Sequence, residues 1–323
     1  MVYEIVSPKV SGVVLADFER LAELARRQDG TSPFSEQTFV ELRKAVQGAD
    51  APLRLVEARQ GDQAVGYAAL VRESDTWVLE AAVAPHARNR GIGSALLEAA
   101  LDVAGTEPLR AWVHGGSNES TPAILAAQHL ARKLGWEPTR ELYKLGLALT
   151  GQGRAGVRTT AAGHPLPAGL TLATYTPDQA EAWVQVNAQA FALHPEQGRL
   201  TLDDLAARTD SGWFRPEGFF LALEKDGRLA GFHWTKIPTG QGEHPEGEVY
   251  AVGIAPSWQG RGLGKALTLA GMAYLADASD ESGTPLERIV LYVDADNTAA
   301  VALYRSLGFT PLTIDRQYAP AHP

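Results

Sequence analysis

A short segment rich in glycine and positive charge, residues 259–265, carries the clearest chemical signal in the sequence. It follows a strand-like run at residues 248–254 and precedes a run at residues 266–276 with the apolar period of a helix. Its three glycines let the backbone approach a ligand closely. Since unpaired N–H groups and the helix dipole favour anions at the start of a helix, the segment predicts a phosphate or pyrophosphate site. Arg261 and Lys265 add positive charge there.

Two better-known glycine motifs do not fit this segment. A P-loop needs Ser or Thr directly after its lysine to bind magnesium, whereas Ala266 follows Lys265. A dinucleotide-binding fingerprint needs Gly-x-Gly-x-x-Gly, whereas these glycines alternate with single residues. The pattern Gln/Arg-x-x-Gly-x-Gly instead resembles the acyl-CoA pyrophosphate loop of the GCN5-related N-acetyltransferase (GNAT) superfamily.

The same segment occurs a second time, earlier in the chain. Residues 84–96 match residues 255–267, so that Arg90 and Arg261 lie 171 positions apart. A Leu-Gly-aromatic sequence is also duplicated, at residues 134–136 and 307–309. Repeats of this length indicate two copies of one domain.

Composition bounds the class of protein. A chain of 323 residues exceeds the about 250–300 residues at which one core stops growing, so two domains are expected. The absence of cysteine excludes disulfides and thiolate chemistry. The net charge of −9 argues against a nucleic-acid partner. Because no apolar run reaches the roughly 18 residues of a membrane span, and charged residues interrupt the first twenty positions, we expect a cytoplasmic protein without a membrane partner. We also expect a monomer and no metal.

Strands and helices follow the same order in both halves, which predicts an α/β fold. The superfamily resemblance implies two tandem GNAT domains, each with a central mixed, mostly antiparallel sheet flanked by helices. We place the first domain at residues 1–150 and the second at residues 169–323. Residues 151–168 lack an apolar period and form the predicted linker. A helix at residues 36–46, capped by Ser35 or Ser32, is predicted in the first half.

Acetyl transfer from a thioester to an amine needs a proton acceptor and a proton donor. A carboxylate must deprotonate the amine, and a tyrosine can protonate the leaving thiolate. A backbone N–H on the strand before the loop can stabilise the oxyanion. Glu248 begins that strand, and Tyr304 lies on the helix before Leu307, so we predict them as base and acid. The alternatives are a solvated strand-end carboxylate and a core aromatic residue.

The first half lacks both groups at the matching positions. Trp77 stands 171 residues before Glu248, and Ala131 precedes Leu134 as Tyr304 precedes Leu307. We therefore predict that the first domain binds acyl-CoA without catalysing a reaction. The predicted cofactor-binding residues of this half are Ala82, Val83, Arg88, Asn89, Arg90, Gly91, Ile92, Gly93 and Ser94.

The second half also resembles a narrower family, the tandem-domain mycothiol synthases. The resemblance covers residues 187–318 strongly and the first half weakly. Its motifs include Asn187-x-x-x-Phe191, His194-Pro195-Glu196-Gln197-Gly198, Gly231-Phe232-His233-Trp234-Thr235-Lys236 and Leu291-Tyr292-Val293-Asp294-Ala295-Asp296-Asn297. It implies transfer of acetyl from acetyl-CoA to the cysteinyl amine of cysteine–glucosamine–inositol.

This resemblance also implies which residues bind each ligand. Those implied for the cofactor are Val252, Gly253, Ile254, Gln259, Gly260, Arg261, Gly262, Leu263, Gly264, Lys265 and Asn297. Those implied for the amine substrate are Glu36, Glu196, Lys236 and Tyr292. Lys236 could instead be an exposed strand-end lysine, and Glu36 a first-turn carboxylate placed favourably against the helix dipole.

Two other functions stay open on the sequence. One is acetylation of a different small amine, such as a related cysteinyl-glucosamine thiol, an aminoglycoside or a polyamine, although Lys236 disfavours a polyamine. The other is an acyl-CoA-binding regulator without chemistry, against which Glu248 and Tyr304 count.

Overall fold

The computed structural model describes residues 3–115, 121–192, 197–240 and 244–321. Contacts divide the chain into two compact units. The first comprises Met1–Tyr143, Asp294–Asp296 and Pro311–Pro323, and the second comprises Lys144–Val293 and Asn297–Thr310. The last strand of the chain therefore groups with the first unit, whereas the sequence analysis places it in the second domain.

The described residues of the first unit form a sheet and four helices. Its strands are β1 (Glu4–Val6), β2 (Leu53–Gln60), β3 (Gln63–Glu73), β4 (Thr76–Val83) and β5 (Leu109–Val113). It also includes β6 (Trp136–Ala148) as far as Tyr143 and nearly all of β12 (Thr310–Pro320). Its helices are α1 (Gly12–Asp29), α2 (Glu36–Val46), α3 (Ile92–Ala104) and α4 (Pro122–Lys133). Strands β1 to β4 pair antiparallel in order, and β4 pairs parallel with β5. Strand β12 belongs here because it pairs antiparallel with β5.

The second unit repeats this plan. Its strands are β7 (Leu170–Thr174), β8 (Phe219–Glu224), β9 (Leu229–Lys236), β10 (Glu246–Ile254) and β11 (Arg288–Asp294). Its helices are α5 (Gly153–Ala162), α6 (Ala180–Ala190), α7 (Leu202–Thr209), α8 (Leu263–Asp277) and α9 (Thr298–Ser306). Strands β7 to β10 pair antiparallel in order, and β10 pairs parallel with β11.

In each unit the parallel strands are paired only at their beginnings. The register of β10 with β11 ends at Val249 opposite Leu291, and that of β4 with β5 ends at Leu79 opposite Ala111. Strands β10 and β4 nevertheless continue to Ile254 and Val83. Within the described residues, the last residues of β10 and β4 are thus not paired with β11 and β5. This leaves an open backbone edge where an extended ligand can bind.

Helices cover both faces of the second sheet. Trp183 of α6 packs against Phe232 and Trp234, with ring centroids 5.2 and 5.6 Å away. His233, between those two residues on β9, faces the other way and its Nδ1–H donates to the Leu267 carbonyl of α8 at 2.7 Å. Burial lowers the pKa of His233 to about 4, so the ring is neutral at pH 7.

One predicted helix agrees with the structure to the residue. Helix α2 spans the predicted residues, and Ser35 is its cap, accepting from the Thr38 N–H. The predicted linker contains helix α5, which contacts α8. Only Val157 of this helix is buried, so the sequence shows no apolar period there. None of the helices in the described residues combines the length and apolar character that a membrane crossing requires.

Candidate active site

In the second unit, the glycine segment forms the turn that joins β10 to α8. Gly260 and Gly262 have φ of +73° and +80°, a left-handed conformation that disfavours any residue with a Cβ atom. Gly262 is the N-terminal cap of α8, and the Ala266 N–H makes the bond back to its carbonyl. The amides of residues 263–265 therefore have no partner within the helix and can bind an anion.

Side chains fix this turn and charge it. Gln259 donates from Nε2 to the Ile254 carbonyl at 3.3 Å, which ties the turn to the end of β10. The Arg261 guanidinium lies 5.2 Å from the ring centroid of Trp258. Lys265 lies in the first turn of α8. Two cations and a helix N-terminus thus act at one place, the arrangement that a pyrophosphate needs.

Strand β10 contains an irregularity before this turn. Val249 pairs with Thr235 and Ala251 with Trp234, so Tyr250 is an extra residue on β10, a β-bulge. Its hydroxyl accepts from Arg208 Nε at 3.1 Å, and its ring lies 5.2 Å from Trp213. The bulge therefore has a fixed side chain and redirects the strand between Glu248 and Val252.

The three residues that follow the bulge are well placed for a cofactor. Val252, Gly253 and Ile254 pair with β9 on one side only, since their register with β11 has already ended. A Cβ atom at Gly253 would overlap the ring of Phe232, so this position requires glycine. The opposite edge of these residues can accept a strand-like ligand.

Glu248, Lys236 and Tyr292 share one face of the second sheet. Glu248 lies directly opposite Lys236 on β9 and opposite Val290 on β11, and cross-strand partners point to the same face. Tyr292 is two residues beyond Val290, hence on that face too, and it is 49% exposed. The Lys236 ammonium lies 5.3 Å from the ring centroid of Trp213.

A second carboxylate on this face is already engaged. Glu246, two residues before Glu248, binds Lys144 at 2.7 Å and Arg288 at 2.8 Å. The Glu246 carboxylate is thus held between side chains of β6 and β11.

Tyr304 lies on α9, with its ring 5.8 Å from that of Phe309. Burial raises the pKa of Tyr304 to about 12, so its hydroxyl stays protonated at neutral pH and can donate. Asn297 caps the same helix, since its Oδ1 accepts from the Ala300 N–H at 3.2 Å. Both residues thus belong to the element that follows β11.

The first unit forms the same turn with different residues. Asn89 has a φ of +60° where the second turn has Gly260, and Gly91 caps α3 with a φ of +81°. Arg88 donates from Nε to the Val83 carbonyl at 3.0 Å, and its two Nη atoms bind Asp29 at 2.8 and 2.6 Å. All three nitrogens of this guanidinium are thus engaged within the protein.

A cavity of about 460 Å³ lies against this turn. It is mostly apolar and is lined by eight of the nine residues predicted to bind acyl-CoA in this half, namely Ala82, Val83, Arg88, Asn89, Gly91, Ile92, Gly93 and Ser94. The ninth predicted residue, Arg90, is not part of the lining. The cavity has the position and character of a cofactor groove.

The two groups predicted to be catalytic have no counterpart in the first unit. Trp77 is buried and pairs with Arg72 and Leu109, the register positions that Lys236 and Val290 hold around Glu248. Ala131 is buried and lines the cavity. Strand β4 pairs with β3 without a register shift. No proton acceptor or donor stands at these two positions.

The first unit also contains a buried polar cluster that was not predicted from the sequence. Glu80, on β4, accepts from His114 Nε2 at 2.7 Å, and His114 Nδ1 lies 3.1 Å from Asp315 on β12. Burial opposes both charges, yet hydrogen bonds from His114, Ser35 and Thr38 hold the pKa of Glu80 below its usual value. Glu80 and Asp315 together raise the pKa of His114 to about 10. The only trace of this cluster in the local sequence is Glu80, a glutamate within an otherwise apolar strand.

The remaining predicted residues are separate from these clusters. Glu36 is the first residue of α2 in the first unit. Glu196 lies outside the described residues. Across the described ranges, no group of three or more His, Asp or Glu side chains could hold a metal ion.

Named relatives match this chain over nearly its whole length. The family model described as "Acetyltransferase (GNAT) family" matches residues 18–136 and 182–309. The chain is 47% identical to the mycothiol acetyltransferase of Rothia mucilaginosa (strain DY-18), covering 97% of the chain and 92% of that protein. It is 43% identical to the mycothiol acetyltransferase of Arthrobacter sp. (strain FB24), with 98% and 95% covered.

Solved structures share the fold at low sequence identity. A tandem GNAT protein from the clavulanic acid biosynthesis pathway has a TM-score of 0.71 at 20% identity, with 100% of both chains covered. A GCN5-related N-acetyltransferase from Sphaerobacter thermophilus has a TM-score of 0.66 at 20% identity, covering 98% of this chain and 94% of the other. The predicted fold class is confirmed. The chain belongs to the acetyltransferase (GNAT) family and is an acetyl-CoA-dependent N-acetyltransferase with two tandem GNAT domains.

Proposed function

We propose that the second unit transfers acetyl from acetyl-CoA to the cysteinyl amine of a cysteine–glucosamine–inositol conjugate, the reaction that the name mycothiol acetyltransferase describes in its relatives. The observation that carries this proposal is the placement of Glu248 opposite Lys236, on the strand that leads into the anion-binding turn. Relatives with that name cover nearly the whole chain and support the same substrate. We place this monomeric enzyme in the cytoplasm.

The second unit fits acetyl-CoA, which supplies the thioester. The left-handed glycines, the helix amides and two cations suit a pyrophosphate, and the edge of β10 after the bulge suits the pantetheine amides. The residues that would hold the cofactor are Val252, Gly253, Ile254, Gln259, Gly260, Arg261, Gly262, Leu263, Gly264, Lys265 and Asn297.

Glu248 and Tyr304 then handle the protons. Glu248 accepts a proton from the substrate ammonium, directly or through a water, so that the free amine can attack the thioester carbonyl. A backbone N–H of β10 stabilises the charge that develops on the carbonyl oxygen. Tyr304, protonated at neutral pH because burial raises its pKa to about 12, donates to the sulfur of the leaving group.

The polar part of the substrate has its own set of predicted partners. Lys236 and Tyr292 share the face of Glu248, where an ammonium and a phenol can bind sugar hydroxyls. The sequence resemblance adds Glu36 and Glu196 as further predicted partners, whose carboxylates can accept from hydroxyl groups. A site with both an ammonium group and carboxylates suits a neutral polyol. A polyamine would favour a site with carboxylates alone.

The first unit binds acyl-CoA without turnover in this proposal. Its turn and cavity support binding, and Trp77 and Ala131 support the lack of catalysis. Arg88 is engaged by Asp29, so helix amides and Arg90 would supply the attraction for phosphate.

One assay tests the substrate. The purified full chain is given acetyl-CoA and one amine at a time: cysteine–glucosamine–inositol, cysteinyl-glucosamine, an aminoglycoside and spermidine. Because two of these amines carry thiols, product is measured by mass spectrometry and not by thiol release. We expect the highest kcat/KM for the inositol conjugate. A higher value for another amine would replace the substrate, and tight acetyl-CoA binding without any product would favour a regulator.

A further inference from the structure

The cavity of the first unit continues well beyond the turn that can hold a pyrophosphate. It is also lined along one face of α4, by Ala123, Ala127, Leu130, Ala131 and Leu134. These positions recur at the spacing of one helix face. Ala123 and Leu134 are eleven positions apart, which is about 16 Å along a helix. The cavity thus follows α4 for about three turns.

The part of the cavity between β4 and β5 ends in apolar side chains. Leu79 and Ala111 form the last registered pair of these two strands, and both line the cavity. Trp136 of β6 and Tyr318 of β12 add two buried rings to the lining. An extended ligand that lies along the open edge of β4 therefore meets a mostly carbon surface where the strands come together.

Ala131 gives this part of the cavity additional room. It is the counterpart of Tyr304 in the duplicated sequence, and Trp136 is the counterpart of Phe309. In the second unit the rings of Tyr304 and Phe309 lie 5.8 Å apart. In the first unit a methyl group stands where the second unit has a phenol ring. In the proposed function, that phenol contacts the thioester sulfur, so the missing ring leaves space beside the acyl group.

The charged groups near the cavity are paired with one another. Glu80 follows Leu79 along β4 and points to the opposite face of the sheet, where its carboxylate lies 2.7 Å from His114 Nε2. At the turn, Asp29 and Arg88 line the cavity and bind each other at 2.8 and 2.6 Å. The end of the cavity at Leu79 therefore keeps its apolar character.

We propose that the first unit prefers an acyl-CoA whose straight-chain acyl group is longer than acetyl, with the apolar tail filling the space beside Ala131. The turn binds the pyrophosphate, and the open edge of β4 binds the pantetheine arm. This inference rests on the proposed function only in that the first unit binds acyl-CoA. It depends neither on the amine substrate nor on the proton-transfer groups of the second unit.

The test compares acetyl-CoA, butyryl-CoA and hexanoyl-CoA as ligands of the full chain by isothermal titration calorimetry. Lys265→Glu serves as the background, because a carboxylate in the second turn repels the pyrophosphate and leaves the first unit as the tighter site. Full burial of one CH₂ group is worth about fourfold in affinity, so we expect a Kd for hexanoyl-CoA about tenfold or more below that for acetyl-CoA. Equal Kd values for the three ligands would overturn the proposal.

Substitutions in α4 locate the acyl tail. Ala131→Tyr introduces the ring that the second unit has at this position and should abolish the preference for hexanoyl-CoA. Ala131→Leu adds less volume, is less disturbing to folding, and should reduce the preference in part. Leu125→Tyr is the matched control, since Leu125 is on the same helix and is 49% exposed. A preference that survives both Ala131 substitutions, or that is lost equally in Leu125→Tyr, would contradict the proposal.

The inference and the proposed function fail in different ways. If native mass spectrometry of the wild-type chain shows one bound acyl-CoA at most, binding by the first unit is refuted and this inference with it, whereas acetyl transfer by the second unit is untouched. If the chain acetylates none of the amines, the proposed substrate is refuted, whereas a preference for hexanoyl-CoA that Ala131→Tyr abolishes still supports this inference. Two sites that bind acetyl-CoA and hexanoyl-CoA equally reject this inference alone.

Discussion

The two glycine-containing turns of the molecule share a backbone and differ in their surroundings. Gly91 and Gly262 cap their helices with φ of +81° and +80°. Arg88 and Gln259, at matching positions, each tie the turn to the carbonyl at the end of the preceding strand. The anion-binding shape is thus a property of the backbone, which two rather different sequences can adopt.

The strands before these turns show where the units diverge. Strand β10 carries Glu248 and then the bulge at Tyr250, whereas β4 carries Trp77 in unbroken register with β3. Tyr304 is matched by Ala131. In the proposed function, the first unit keeps the anion-binding turn and lacks the predicted proton-transfer groups, because binding and catalysis depend on different residues.

The largest expected effect comes from the proton-transfer groups. Glu248→Gln and Tyr304→Phe should each lower kcat by about 10²- to 10⁴-fold, the usual contribution of general acid–base catalysis. The KM for acetyl-CoA should change little, since neither residue belongs to the turn. Initial rates at saturating acetyl-CoA measure the effect.

The matched control lies in the first unit. Trp77→Phe changes the residue at the position equivalent to Glu248, and we expect it to leave kcat unchanged. A loss of activity in Trp77→Phe comparable to that of Glu248→Gln would show that the first unit takes part in catalysis. Near-normal turnover by Tyr304→Phe would remove Tyr304 from the mechanism.

The turns could be predicted from the sequence, whereas the placement of Lys236 opposite Glu248 could not. Glycine is required at 260 and 262 because φ is positive there, so the residue types reveal the backbone. The placement of Lys236 opposite Glu248 depends on strand register, which sequence specifies weakly where a bulge intervenes. Helix α5 was missed because only Val157 of it is buried.

The buried cluster was invisible for another reason. Ser35, Glu80, His114 and Asp315 are dispersed over most of the chain. Asp315 lies beside His114 because β12 pairs with β5 in the first unit, a pairing that no local pattern of residues indicates. Long-range hydrogen bonds of this kind emerge only once the strand order is known.

The next effect concerns the free energy of unfolding. Each unit has a buried histidine, and the pKa values of the two are shifted in opposite directions. His114→Gln leaves Glu80 and Asp315 without their cation and should lower the free energy of unfolding by about 3 kcal/mol at neutral pH. The pKa of His114 is raised from 6.5 to about 10, so its contribution is complete below pH 6.5 and is lost as pH rises through 10. Urea unfolding at several pH values measures this loss.

His233 in the second unit should show the opposite dependence on pH. Burial lowers its pKa from 6.5 to about 4, so its contribution to stability is complete above pH 6.5 and is lost as pH falls through 4. His233→Gln should therefore flatten the acid side of the stability profile, whereas His114→Gln should flatten the alkaline side. Identical profiles for the two variants would contradict the assignment of one charged and one neutral ring.

A smaller effect concerns the charge of the turns. Lys265 occupies the position of Ser94 in the first turn. Lys265→Ser should raise the KM for acetyl-CoA about tenfold, because a charged partner of the pyrophosphate is lost. The effect should shrink as salt is added. Lys225→Ser, in the hairpin between β8 and β9, is the control that changes the same net charge, and we expect no change in KM from it.

The smallest effect tests the bulge. Tyr250→Phe removes the hydroxyl that accepts from Arg208 and keeps the ring between Trp213 and Trp234. One hydrogen bond is worth about 1 kcal/mol, so kcat should fall about fivefold if that bond holds the bulge and hence Glu248 in place. Tyr274→Phe, on α8 of the same unit, is the control and should keep kcat. An unchanged kcat in Tyr250→Phe would mean that ring packing alone maintains the bulge, and the difference between β10 and β4 would then lie in the aromatic residues around Tyr250.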